Sequence, residues 1–543
     1  MNHFLDMIIY GASVLTMDAA MPRAEAIAVM RGKISAVGSN EEILGLRREG
    51  TVLIDAGGKS VLPGFHDSHL HLYGYALTKG MADLSGLNSI DELESRLRKH
   101  IRDLNPAEGA WIIGRGWDQT PYREGRMPDR HDLDKVSTRH PMMLRRKCGH
   151  VSVLNSAALK AAGIYEQPPL VEGGLVELGA DGKPTGILKE NAMELVTPRS
   201  PIVTGAAVKQ LITVAAQDFV KAGLTSVQTD DLGAFPGEPS ELFKAYLDLA
   251  EEGRLPLRVI EQMLLPDPEK LKRVMAMGWK TGFGNDFFKI GPLKLLTDGS
   301  FGGRSALLSE PYSDDPGNRG IALFTREHLK ELVSLAHRAG MQVAAHAIGD
   351  KAIADVLDVY REVQQEHPRD DPRFRVIHAS LATPELLDRF EEQGVLADVQ
   401  PCFVPSDLPL IESRLGKARA SSAYCFKDFL RRGIPAGGSS DCPVEDYRPL
   451  MGIHAAVTRQ GYDGKPEEGW LPGQKLTLYE ALHLYTMGSA YNAFEEGIKG
   501  SIAAGKLADL VILSDNIEKV NPEQIKKLRV EKTIVGGKIA YSV

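Results

Sequence analysis

The 543-residue chain predicts an α/β fold: a (β/α)8 TIM barrel, a β-sandwich formed by both chain termini, and an inserted cap region. Three observations carry this. A unit of amphipathic helix, glycine, short apolar strand and polar residue recurs through the middle of the chain; both ends read as short strands joined by glycine turns; and between about 79 and 200 the recurring unit gives way to a stretch rich in Arg, Gly and Pro.

The first segment, 1–61, contains DMIIYGASVLT, AEAIAVMRGKISAVGS with a turn at Arg31 to Lys33, and TVLIDAGGKSVLPG. The last, 496–543, contains KLADLVILS and EKTIVGGKIAYS, and its turn Gly536, Gly537, Lys538 echoes Gly57, Gly58, Lys59. The shared texture predicts one sandwich built from 1–61 and 496–543, enclosing a barrel over 62–495. In the barrel the unit appears as DFVKAGLTSVQTD, LAHRAGMQVAAH, RFEEQGVLADVQP and FLRRGIPAGGSSD. Gly223, Gly340, Gly394 and Gly433 suit left-handed helix ends, and Thr325 and Thr383 suit helix N-caps. Repeated βα units imply parallel strands, for which a closed barrel is the commonest solution at this length. An open doubly wound sheet is the alternative, but its nucleotide signatures GxGxxG and GxxxxGK[ST] are missing. The insertion at about 79–200 holds WIIGRGWDQTPYREGRMPDRHDLD and KCGHVSVLNSAALKAAG, and it would cover the strand ends where barrel active sites lie.

Hydrophobic residues make up 43% and charged residues 25%, the composition of a folded chain. With 64 Lys and Arg against 72 Asp and Glu, the net charge is −8, and no basic cluster is long enough to track a phosphate backbone, so nucleic acid is not an expected partner. No apolar run approaches the ~18 residues of a membrane span. The start, MNHFLDMIIYGAS, has an acid where a secretion signal carries basic residues, so the expectation is a cytoplasmic protein with a small-molecule substrate. A homodimer is compatible with the sequence. Cys148, Cys402, Cys425 and Cys442 form no CxxC pair and are expected to be reduced.

In VLPGFHDSHLHL, His69 and His71 are two apart, so on a strand both imidazoles reach one face and one ion; the plainer alternative is a pair of half-exposed strand-end histidines. His346 closes MQVAAH and His378 closes RVIH, each where a side chain leaves the packed interior for the barrel mouth. Asp441 ends IPAGGSSD, as a metal-held carboxylate or as an N-cap before Pro443. Lys294 sits in the apolar strand FFKIGPLKLL, where a cation must be paired, deprotonated or modified. A carbamate formed from its neutral amine could bridge two metals, and a salt bridge to Asp298 is the alternative.

These pieces resemble the amidohydrolase superfamily, specifically an amidohydrolase-3-type branch that includes N-substituted formamide deformylase-like proteins. The matching segments are PGFHDSHLH, KLLTDGSFGGRSA, AAHAIGD, VIHASL, GGSSDCPVED and GSIAAGKLADLVIL, spread in order over almost the whole chain. The resemblance implies a distorted (β/α)8 barrel with a sandwich from both termini, and hydrolysis of a C–N bond other than a peptide bond. It also implies that His69, His71 and Asp441 bind one divalent ion, that His346 and His378 bind a second, and that carboxylated Lys294 bridges them. Zn²⁺ is the expected ion, one or two per chain, with Fe or Mn as alternatives. Asp441 would be the general base, taking a proton from water acidified by the metal and passing it to the leaving nitrogen. Asp298 and Arg304 would contact substrate, as would Trp117, Asp118 and His150 from the inserted region; packing is the alternative for Trp117, and a structural role for His150.

Two rivals remain open. A mononuclear deaminase would use the same ligands but usually adds a Glu near the third His, and His378 is followed by Ala379, Ser380 and Leu381. A catalytically silent barrel with a regulatory role would normally lack ligands, and none is missing.

Overall fold

The computed structural model describes residues 5–196, 205–233 and 239–543. Eight strands lie side by side in one all-parallel sheet: β1 (Phe65–Leu70), β2 (Leu224–Thr229), β3 (Arg258–Leu264), β4 (Phe288–Leu296), β5 (Val343–Ala347), β6 (Arg375–His378), β7 (Leu396–Val399) and β8 (Ala436–Gly438). Helices follow β2 to β7, as a parallel crossover requires. Thr325 caps Arg326–Arg338 by accepting from His328 N–H at 3.3 Å, and the stripe Leu329, Leu332, Val333, Ala336 is buried. Gly394 ends Pro384–Gln393 at φ 63°, a conformation that glycine enters without a Cβ clash.

The sheet curls until β8 meets β1, and the seam is closed by single bonds instead of a ladder. Ser440 N–H donates to Asp67 Oδ2 at 3.0 Å, Asp441 N–H to the His69 carbonyl at 2.9 Å, and His71 N–H to the Cys442 carbonyl at 2.7 Å. A side chain at Gly437 would put a Cβ 3.0 Å from Ser68 and nearer still to Asn492, so the seam depends on glycine there. Asp441 leaves this seam at φ 57° and caps no helix; the next helix, Pro449–Thr458, starts after Arg448. This removes the N-cap alternative for Asp441.

The two chain ends share a six-stranded sheet in which Ser60–Pro63 pairs antiparallel with Leu510–Leu513, and a four-stranded sheet from residues 7–55 accompanies it. Arg258, at the start of β3, makes two bonds to Asp509, 2.7 and 3.0 Å, tying this unit to the barrel. The insertion forms a six-stranded mixed sheet between Ala82 and Glu190, around a core of its own that includes Leu93, Leu97, Trp117 and Leu144. Its expected end, near 200, lies outside the described residues. Among the described residues no helix is long and apolar enough to cross a membrane.

Candidate metal centre

His69 lies on β1 and His71 just after it, and both Nε2 atoms meet the same carboxylate oxygen, Asp441 Oδ1, at 3.3 and 2.9 Å. His69 is sealed from solvent, while the His71 side chain keeps 23% exposure. From β4, Lys294 Nζ reaches to 3.2 Å from His69 Nε2. His346 at the end of β5 and His378 at the end of β6 face each other with ring centroids 4.4 Å apart, and His378 is 5.7 Å from the His69 ring. The C-terminal strand ends thus gather all six predicted ligands at one mouth.

The hydrogen bonds behind the rings determine which nitrogen is available. Gln262 donates its amide to the Ser68 carbonyl at 2.9 Å, so its oxygen faces His69 Nδ1, 2.9 Å away, and accepts that proton. Gln400 donates to Ser439 at 2.7 Å and accepts from His378 Nδ1 at 2.8 Å. The Asp230 carboxylate accepts from His71 Nδ1. On His69 and His378 the proton is held on Nδ1 and the Nε2 lone pair is left toward the cavity, the arrangement a metal-binding imidazole needs, whereas His71 also donates from Nε2 to Asp441 Oδ1 at 2.9 Å. His346 is the reverse: its Nε2 lies 3.2 Å from the Gly299 carbonyl, which leaves Nδ1 free.

The electrostatics agree with this donor set. Burial pulls the pKa of His69 and His346 down and that of His378 well down, keeping them neutral. Burial alone would raise Asp441, but hydrogen bonds to His69 and His71 hold it well below the carboxylate range. Burial also opposes a charge on His71, yet Asp230 and Asp441 overcome it and push its pKa up to about 10, so a cation entering here would displace a proton. Burial lowers Lys294 against the opposing pull of Asp230, whose Oδ2 is 3.6 Å away. Neutral imidazoles with an ionised carboxylate are the ligands that a borderline divalent cation takes; His69 and Asp441 are in those states, and His71 joins them when the cation displaces its proton.

The other predicted residues are placed unequally. His150 lines the cavity, its Nδ1 2.7 Å from Glu190 and its ring 5.1 Å from His346. Asp118 stands behind the cavity wall, paired with Arg146 at 2.7 Å and Lys147 at 3.3 Å. Trp117 is fully buried in the core of the inserted sheet and donates its indole N–H to the Leu144 carbonyl, so packing is its role. Asp298 does not pair with Lys294. Its oxygens accept from the backbone N–H groups of Ile348, Gly349 and Leu307 at 2.8–3.0 Å, pinning two loops of the mouth together. Arg304 turns outward to Asp314 at 3.1 Å. Sequence reasoning missed Asp230, Gln262, Gln400 and Glu190. A signal existed for Asp230, which closes LTSVQTD as His346 and His378 close their strands.

The profile of the Amidohydrolase family matches residues 52–541. The chain belongs to the amidohydrolase family. Amidohydrolase YtcJ of Bacillus subtilis (strain 168) is 36% identical, covering 98% of each chain. The N-substituted formamide deformylase of Arthrobacter pascens is 27% identical, covering 100% of this chain and 99% of that protein. An uncharacterized metal-dependent hydrolase from Pyrococcus horikoshii OT3 superposes with a TM-score of 0.74 at 31% identity, over 96% of this chain and 99% of that one. As an amidohydrolase the chain is a hydrolase acting on C–N bonds, and its family implies a divalent metal.

Proposed function

We propose that this amidohydrolase cleaves an amide-type C–N bond of a small molecule, with Asp441 as the general base and Zn²⁺ as the divalent ion. The observation that carries this reading is the meeting of His69 and His71 Nε2 on Asp441 Oδ1. A divalent cation bound there supplies Lewis acidity, acidifying water and polarising a carbonyl oxygen.

The chain's own groups supply the rest. Asp441, ionised and fixed by its backbone bond to His69, accepts the proton of the attacking water and delivers it to the departing nitrogen. Asp230, Gln262 and Gln400 hold the Nδ1 protons of His71, His69 and His378 in place. Lys294, held toward its neutral form, can add CO₂ through its nitrogen lone pair and release one proton, giving an anionic carbamate in place of an ammonium. His346 and His378 then stand ready for a second ion.

The test is elemental analysis of purified protein alongside product analysis on a panel of formamides and N-acyl amines. One to two divalent ions per chain and release of amine plus carboxylate are expected. Ammonia release would favour the deaminase, and active protein without any transition metal would refute the metal-dependent reading.

A further inference from the structure

His150 and Glu190 form a pair that the metal centre does not use. Both belong to the inserted sheet, His150 just before the strand Val151–Leu154 and Glu190 at the end of the neighbouring strand Pro184–Glu190. They are tied twice: Glu190 N–H donates to the His150 carbonyl at 3.1 Å, and the His150 ring donates from Nδ1 to Glu190 Oε2 at 2.7 Å. Glu190 adopts φ 52° and ψ −132°, a backbone conformation that residues with a Cβ rarely enter. Strain of this kind persists only where the surroundings hold it, and it gathers at working sites.

The surroundings here are the barrel mouth. The Glu190 side chain keeps 2% exposure, and its second oxygen, Oε1, is buried without a hydrogen-bond partner. That oxygen lies against Gly299, where a Cβ would come within 2.1 Å of it, and the Gly299 carbonyl is in turn 3.2 Å from His346 Nε2. A glycine in the barrel loop thus leaves the room through which the inserted sheet brings a carboxylate up to the mouth. Among the described residues no cation other than His150 makes an ion pair with Glu190. The imidazole that balances this buried charge carries a hydrogen on both nitrogens. Its Nε2 donates to no group among the described residues, while the ring lines the cavity it shares with Asp441 and His378 and sits 5.1 Å from the His346 ring. A free donor therefore stands at the reacting end of the site.

We propose that His150 is a catalytic residue, donating a hydrogen bond from Nε2 to the carbonyl oxygen of the scissile amide, and that Glu190 is the positioning residue that aims it. This rests on the hydrolase reading above. As water adds to the amide carbon, charge moves onto that oxygen, and a donor fixed in advance stabilises the charged state more than the planar amide. The oxygen returns to a carbonyl when the C–N bond breaks; no proton leaves His150, and Asp441 still carries the proton to nitrogen. The inserted region is then part of the machinery as well as cover for the strand ends.

The test uses Zn²⁺-loaded wild type, His150→Ala, Glu190→Ala and Glu190→Gln, with metal content measured for each. Turnover is followed on N-phenethylformamide. Calorimetry compares binding of N-phenethyl methylphosphonamidate, whose tetrahedral phosphorus carries the extra oxygen, with binding of planar N-phenethylacetamide. His150→Ala should lose about 10²- to 10³-fold in kcat with KM little changed, and should lose affinity for the tetrahedral probe alone, with metal retained. Glu190→Ala should change in the same direction, and Glu190→Gln, whose amide oxygen still accepts from Nδ1, should recover part of the loss. Wild-type kcat in Glu190→Ala would remove the positioning role. Tetrahedral binding in His150→Ala equal to that of wild type, or an equal loss for both probes, would refute the donor and leave the hydrolase. If wild type cleaves no amide but holds the tetrahedral probe through His150, the donor stands and the hydrolase reading falls.

Discussion

Lys294 Nζ lies 3.2 Å from Nε2 of His69, and both side chains are closed to solvent. An ammonium in this position would face the same cavity as the four histidines and repel any cation they hold. Among the described residues, only Asp230 offers it a carboxylate within salt-bridge distance. Conversion to a carbamate reverses the charge and adds two oxygen ligands.

Metal-loaded protein prepared in ¹³C-bicarbonate should therefore show a carbamate carbon by NMR that is absent from Lys294→Ala. The variant should lose activity and at least one metal, and propionate should restore part of both. An unmodified amine beside a single fully occupied metal would refute the bridge and leave a mononuclear hydrolase.

Asp441→Asn keeps the shape and one oxygen but loses the proton acceptor. Turnover should drop by about 10²- to 10⁴-fold, with metal content preserved. Near-normal turnover with metal bound would remove Asp441 from proton transfer.

Asp230 acts through His71, whose Nδ1 proton it accepts. Asp230→Asn removes the charge that orients this ring, and metal affinity should weaken by about 10- to 100-fold in competition with a chelator. Unchanged affinity would show that the seam bond from His71 N–H to the Cys442 carbonyl is enough to place the ring.

Asp509 joins the terminal unit to the barrel through buried Arg258 and also accepts from Gly536 N–H at 2.7 Å. Asp509→Ala leaves a guanidinium buried without its partner, and should cost about 3–5 kcal/mol. The measurement is thermal unfolding, in which the melting temperature should fall and the metal content of the folded protein should not. An unchanged melting temperature would mean that water compensates Arg258.

The barrel and the position of its mouth were legible because their causes are local. Glycine after an amphipathic helix marks where a strand begins, and a polar residue after four or five apolar ones marks where it leaves the packed interior; His346 and His378 are read in this way. The His69 and His71 pair rests on the same short-range rule that alternate residues on a strand share a face. Which groups meet across strands has no local cause. His71 and Asp230 are 159 positions apart, and His69 and Gln262 are 193 apart. Their contacts follow from the register of parallel ladders and from how far the sheet curls, both of which are set by packing. For the same reason Asp298, in sequence the obvious partner for Lys294, is instead taken by three backbone amides and lies 3.3 Å from His346 Nε2.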